Sequence, residues 1–168
     1  MKLFAFALLL ILQSAFAQDA MQLTSTGFAA VEIPRPPKPD DRVQEQIKAW
    51  LAEFNRRNEF GYDVYDVTAS SLKIDSYKDN AFYYQNKGET FQHRVKYTIA
   101  LDIRENVIVY KFSVREIYAG KVLTELTVAK FFTSDGKLKS DYLEVKPSLE
   151  KTANDMLRSF ADYMALLK

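Results

Sequence analysis

The sequence predicts an α+β domain, an antiparallel sheet of four to six strands covered on one face by two helices. Three observations predict it. Residues 62 to 132 alternate apolar and polar side chains with a period of two for much of their length, the mark of strands with one buried and one solvated face. Apolar residues near the two ends of the chain recur instead at helical spacing. The chain of 168 residues has no cysteine, so its stability must come from a hydrophobic core and not from a disulfide framework. An amphipathic sheet and two amphipathic helices have a simple joint solution, in which both helices cover the apolar face of the sheet.

The N-terminus reads as a secretory signal peptide over residues 1–17. Lys2 supplies the positive charge, Leu3 to Leu12 an apolar run, and Ala15 and Ala17 the small residues of a cleavage site. The run is too short to span a hydrocarbon core of about 30 Å, so no integral membrane segment is expected after cleavage. No cysteine follows it to carry a lipid. The expected product is exported to the periplasm or secreted, and starts at Gln18. A single domain of about 150 residues is large enough to bury roughly 70% of its unfolded surface.

Residues 18–39 form an N-terminal segment. Phe28 to Ile33 is a possible short strand, and Pro34 to Pro39 a stiff connector with few amide donors. The main domain follows over residues 40–168, and the strand at 28–33 can belong to it. A helix starts at Asp40 or Asp41, where a carboxylate can cap the first turn. Its stripe is Val43, Ile47, Trp50, Leu51 and Phe54, and Gly61 is its expected stop, after Phe60. Tyr62 to Val67 is the first strand of the sheet, and Leu72, Ile74 and Ser76 begin the second, which ends near "YKDNAFYYQNKGE".

Phe91, His93, Val95, Tyr97, Ile99, Leu101 and Ile103 then share one face of a long strand. Gln92, Arg94, Lys96, Thr98 and Asp102 share the other. After "REN", the residues Ile108, Tyr110, Phe112, Val114 and Tyr118 are expected to point inward. Ala119–Gly120 turns the chain into a further strand, Val122 to Phe132. The closing helix, 147–167, carries Leu149, Ala153, Met156, Leu157, Phe160, Met164 and Leu167 on one stripe, with Pro147 suited to its first turn.

The order of elements resembles a family of exported bacterial proteins known only as a domain of unknown function with a fold like the TATA-binding protein. The residues that carry the resemblance are "AVEIPRPPKPDDRVQEQIKAWLAEF", "DVTASSLKIDSY" and "VKYTIALDIRENVIVYKFSVREI". The resemblance implies a TBP-like or helix-grip fold and supplies no catalytic residues.

Charge argues against nucleic acid as a partner. Removing Lys2 lowers the 23 basic residues to 22, which equals the 22 acidic ones, so no long-range field draws the mature chain to phosphates. His93 is the only histidine and has no evident catalytic or metal-binding companion. Asp63 and Asp66, and Asp75 and Asp79, are split between strand and turn and lack the spacing of a calcium loop. Ser70 and Lys73 satisfy S-x-x-K only in letter, because a strand sends them to opposite faces. No catalytic residue, cofactor or metal is assigned.

Aromatic residues offer more, with 10 tyrosines and 12 phenylalanines. Phe82, Tyr83 and Tyr84, with Asn86 and Lys87 beside a turn, form the expected contact surface for a protein or glycan partner. The alternative is a carrier of a small apolar ligand. In that reading His93, Tyr97, Tyr110, Phe112 and Phe160 line a cavity under a closing helix that stands off the sheet. An enzyme of unknown type is the third reading.

Overall fold

The computed structural model describes residues 20–167. The expected signal peptide lies outside them. Among the described residues, no helix is long and apolar enough to cross a membrane.

The chain opens with a small hairpin, β1 (Leu23–Thr24) and β2 (Gly27–Phe28). It continues through β3 (Val31–Pro34), α1 (Asp40–Phe54), β4 (Tyr62–Tyr65), β5 (Ser71–Asn86), β6 (Glu89–Ile103), β7 (Val107–Ala119) and β8 (Val122–Leu123), and closes with α2 (Val145–Ala165). Six of these strands form one antiparallel sheet in the order β3-β7-β6-β5-β4, with β8 beside the far end of β7.

Alternation builds the core as expected. Along β6, His93, Val95, Tyr97, Ile99, Leu101 and Ile103 are all buried. Val43, Ile47, Trp50 and Leu51 of α1, and Leu149, Ala153, Met156, Leu157, Phe160 and Met164 of α2, join them in one cluster. Trp50 meets Phe160 edge-on at 5.0 Å, and its indole N–H donates to Ser159 Oγ at 3.2 Å, which ties the helices together. The N-terminal segment is bound in as well. Asn154 of α2 pairs with the backbone of Met21 through its Oδ1 (2.8 Å) and Nδ2 (2.9 Å), as a neighbouring strand would.

Several expectations need correction. Residues 28–33 are not one strand: Phe28 ends the small hairpin, and β3 pairs with β7 as a member of the main sheet. Helix α1 has no side-chain cap. Asp40 instead meets Arg35 at 2.7 Å, and the same guanidinium donates to the Lys38 and Arg104 carbonyls, which pins the proline connector. The helix stops at Phe54, not Phe60, because the Asn55 side chain donates back to the Leu51 carbonyl and the chain then turns. Strand β4 ends at Tyr65, since Asp66 takes a positive φ of 49°. Strand β5 runs on through "AFYYQN" to Asn86. The stretch Val122 to Phe132 holds a two-residue strand, a 3₁₀ turn at Val128–Phe131 and a single bridge from Phe132 to Leu138, not one continuous strand. The closing helix starts at Val145, with Pro147 still inside its first turn, where its missing N–H leaves no bond unmade.

The most consequential correction concerns β7. Lys96 pairs with Glu116 but Tyr97 pairs with Val114, so one extra residue bulges out of β7. A one-residue slip exchanges the two faces. Ile117 therefore points into the core, and Tyr118, expected inward, lies with Arg94 on the outer face.

Candidate functional site

The five residues of the expected contact surface are not brought together. Phe82 is only 1% exposed and packs on Phe131 and His93, so it belongs to the core. Tyr84 is partly buried on the inner face, between Phe91, His93 and Tyr142. Tyr83 is exposed and pairs with Gln92 on the outer face. Asn86 and Lys87 stand exposed at the hairpin tip, where positive φ at Lys87 and Gly88 forms the turn that suits the twist of the strands.

Of the residues named for a cavity, His93, Tyr97, Tyr110 and Phe112 lie on the inner face of the sheet, and Phe160 faces them from α2. Tyr97 stacks on Phe112 at 5.4 Å, and Tyr110 meets Phe160 of α2 at 5.6 Å, so the closing helix is seated on the sheet at that point. His93 stacks between Phe82 and Tyr84 at 4.9 and 5.3 Å. Its Nδ1 lies 3.2 Å from the Tyr118 carbonyl, and its Nε2 is buried without a partner among the described residues. Burial pushes the imidazole pKa below its ordinary value, which favours the neutral ring. The Tyr110 hydroxyl is likewise buried and unpartnered, and burial drives its pKa far up.

The acidic residues weighed for a cation have separate partners. Asp66 accepts from Lys73 at 2.8 Å, and Asp75 accepts from Thr98 at 2.6 Å and Tyr65 at 2.9 Å. Ser70 lies in the bend before β5. Among the described residues, no three His, Cys, Asp or Glu side chains gather as a metal site would require.

A different constellation stands on the face of the sheet that the helices leave uncovered. Arg94 of β6 was expected to be solvated, yet it is only 9% exposed. Its guanidinium carbon lies 4.0 Å from the ring centre of Phe60, 4.7 Å from Tyr118 and 5.9 Å from Tyr77. The rings also meet one another, Phe60 with Tyr77 at 5.4 Å and Tyr77 with Tyr118 at 6.1 Å. A cation over aromatic faces is stabilised by their quadrupoles, and more so where water is excluded.

Local structure explains each member. Strand pairing puts Arg94 opposite Tyr118, and Lys96 between Tyr77 and Glu116. The β7 bulge turns Tyr118 outward, and its hydroxyl donates to Glu116. That bond, with added burial, pushes the phenol up to about 12 and keeps it protonated. Phe60 is placed by a polar clasp. Asn58 Nδ2 donates to Ser76 Oγ at 2.8 Å and to the Tyr77 carbonyl at 3.0 Å, Ser76 donates to Asn55 Oδ1 at 2.7 Å, and the Phe60 N–H donates to Asn58 Oδ1 at 3.0 Å. The loop after α1 is thereby held against β5, and Phe60 reaches the outer face.

The guanidinium itself is poorly answered. Its Nε is buried without a hydrogen bond, and its nearest carboxylate is that of exposed Asp79, at 3.9 Å. That distance is an ion pair across a gap, too long for a hydrogen bond. Lys96, one row along, is held at similarly long range between Asp75 (4.0 Å) and Glu116 (3.9 Å). The arrangement offers directed donors inside an aromatic frame on an open surface, with Tyr83 and Leu123 exposed on neighbouring strands.

Sequence reasoning could not assemble this group. The helical pattern places Phe60 at a helix end, and strict alternation places Tyr118 on the inner face. The available signal was the slip in apolar spacing, from Phe112 and Val114 to Ile117, which marks a bulge.

No family model matches the chain, and no curated protein matches it. Among solved structures, it is similar to a DUF4468 family protein from Bacteroides ovatus, at 15% identity over 81% of this chain and 84% of the other, with a TM-score of 0.57. At that identity the likeness speaks for the fold: two chains share an antiparallel sheet and helix arrangement across most of their lengths.

Proposed function

We propose that the protein is an exported, noncatalytic binding module that meets a protein or glycan partner through the uncovered face of its sheet. One observation carries the reading. The Nε of a guanidinium framed by Phe60, Tyr77 and Tyr118 is buried and has no hydrogen-bond partner among the described residues. An unanswered buried donor costs stability and calls for a partner, which a ligand at this surface would supply. Aromatic and arginine side chains are also the residues that dominate binding energy at interfaces. Export rests on the leader-like residues 1–17, with cleavage near Ala17. Assignment to the exported bacterial family with a TBP-like fold belongs to the same proposal. The strand, helix, antiparallel sheet and closing helix, in that order, support it, as does the fold likeness to the Bacteroides protein.

Site-specific photo-crosslinking in the source organism tests the surface. Crosslinkers at Tyr83 and Leu123, on the outer face, are expected to give a discrete adduct. Crosslinkers at Lys48 and Asp162, exposed on the two helices, are expected to give none. Adducts from the helices alone would refute the assignment. The mature N-terminus, read by mass spectrometry, is expected at Gln18, and an uncleaved chain would refute export through this leader.

A further inference from the structure

We infer that Arg94 receives a carboxylate of a peptide partner, an acidic side chain or a chain terminus, with an apolar side chain beside it resting on Phe60, Tyr77 and Tyr118. The inference rests on the outer-face reading above and gives that surface its ligand chemistry. Guanidinium presents its N–H donors in the plane of the group, in a fork that matches the two oxygens of a carboxylate. Here the buried Nε–H lacks an acceptor among the described residues, and the Asp79 carboxylate stands off from it at 3.9 Å. The rings hold the fork in place without using its donors, so little side-chain freedom is left to lose on binding.

Charge favours a monoanion. Asp75, Asp79 and Glu116 all border the group, and Lys96 is already shared between Asp75 and Glu116. A phosphate dianion would meet two cations, each already facing a carboxylate at long range, and three carboxylates in all. A carboxylate asks only for the one fork.

Geometry favours a peptide over an acidic sugar. Sugars stack on open aromatic faces, but here Phe60 and Tyr118 have faces turned to the guanidinium, at 4.0 and 4.7 Å. What remains toward solvent is an apolar rim, extended by exposed Leu123, which suits an aliphatic or aromatic side chain next to the carboxylate.

Calorimetry with short synthetic probes on the mature chain tests this. N-acetyl-Ala-Leu with a free C-terminus and N-acetyl-Leu-Glu-Leu-amide carry a terminal and a side-chain carboxylate. N-acetyl-Ala-Leu-amide and N-acetyl-Leu-Gln-Leu-amide are their neutral matches, and glucuronate and inorganic phosphate are the remaining arms. At least one acidic peptide is expected to bind about tenfold or more tighter than its neutral match, the scale of one charge-assisted contact. Arg94→Gln is expected to abolish that preference. Because Arg94 is buried and its loss can unfold the chain, Asp79→Asn provides an independent check at an exposed position. Removing the competing carboxylate is expected to tighten the acidic peptide several-fold and leave the neutral one unchanged. Equal binding of acidic and neutral peptides, binding of glucuronate or phosphate alone, or no response to Asp79→Asn would overturn the inference. If outer-face crosslinks persist while every acidic peptide fails, the surface reading stands and the carboxylate assignment falls.

Discussion

Tyr110→Phe should make the protein more stable, although it removes a polar atom from the centre of the sheet. The Tyr110 hydroxyl is fully buried against α2 and has no hydrogen-bond partner among the described residues. A buried polar group left unsatisfied costs about 1–3 kcal/mol. Deleting the oxygen leaves a void smaller than a methyl group, which costs about 1 kcal/mol or less. The balance is a gain of about 1 kcal/mol, or roughly 2–4 °C in Tm for a chain of this size. Urea denaturation is the direct assay: the midpoint should rise while the slope stays constant, which marks a change in stability without a change in exposed surface. A loss of more than about 1 kcal/mol would show that the hydroxyl is answered in solution. It would mean that water or a ligand enters the sheet–helix interface, as a carrier requires.

The core supplies two further tests. Trp50→Ala and Phe112→Ala should each cost about 3–5 kcal/mol, because both side chains are buried in the shared cluster; near-normal melting of either would contradict the packing of helices on sheet. His93 sets a pH dependence of known sign. Burial holds its folded pKa below the ordinary 6.5, so folding binds the neutral ring preferentially. Stability should be complete above about pH 6.5 and fall as the pH drops toward the folded pKa, by at most about 1.4 kcal/mol per pH unit. Midpoints measured from pH 7.5 to 5 should show this slope, and His93→Phe should flatten it. Asn154→Ala breaks the paired bonds to Met21 and should cost about 1–3 kcal/mol in the same assay.

Much of the fold was legible because period and hydrophobicity act locally. The inward row from His93 to Ile103 and the two helical stripes required only the identity of each side chain. What escaped was set by single residues acting across space. The bulge at Val114–Glu116 cannot be placed without knowing which residue of β6 it opposes, and it decides the face of Tyr118. Helix α1 ends early through Asn55, whose side chain bonds backward to Leu51 and also accepts from Ser76, twenty-one residues ahead. Phe82 is apolar and sits at an inward position, yet its place beside two tyrosines made it look like part of a surface. Arg94 falls in a polar row, and only the strand partners and the loop clasp reveal that three rings enclose it.

Where a peptide carboxylate lands decides between the outer face and the space under α2. Two-dimensional NMR of the mature chain, with the Arg94 Nε–H resolved and N-acetyl-Leu-Glu-Leu-amide added, would locate it. The prediction is a downfield shift of the Arg94 Nε–H, with further shifts at Phe60, Tyr77 and Tyr118. Shifts confined to His93, Tyr110 and Phe160 would place the ligand under α2 and contradict the outer-face site.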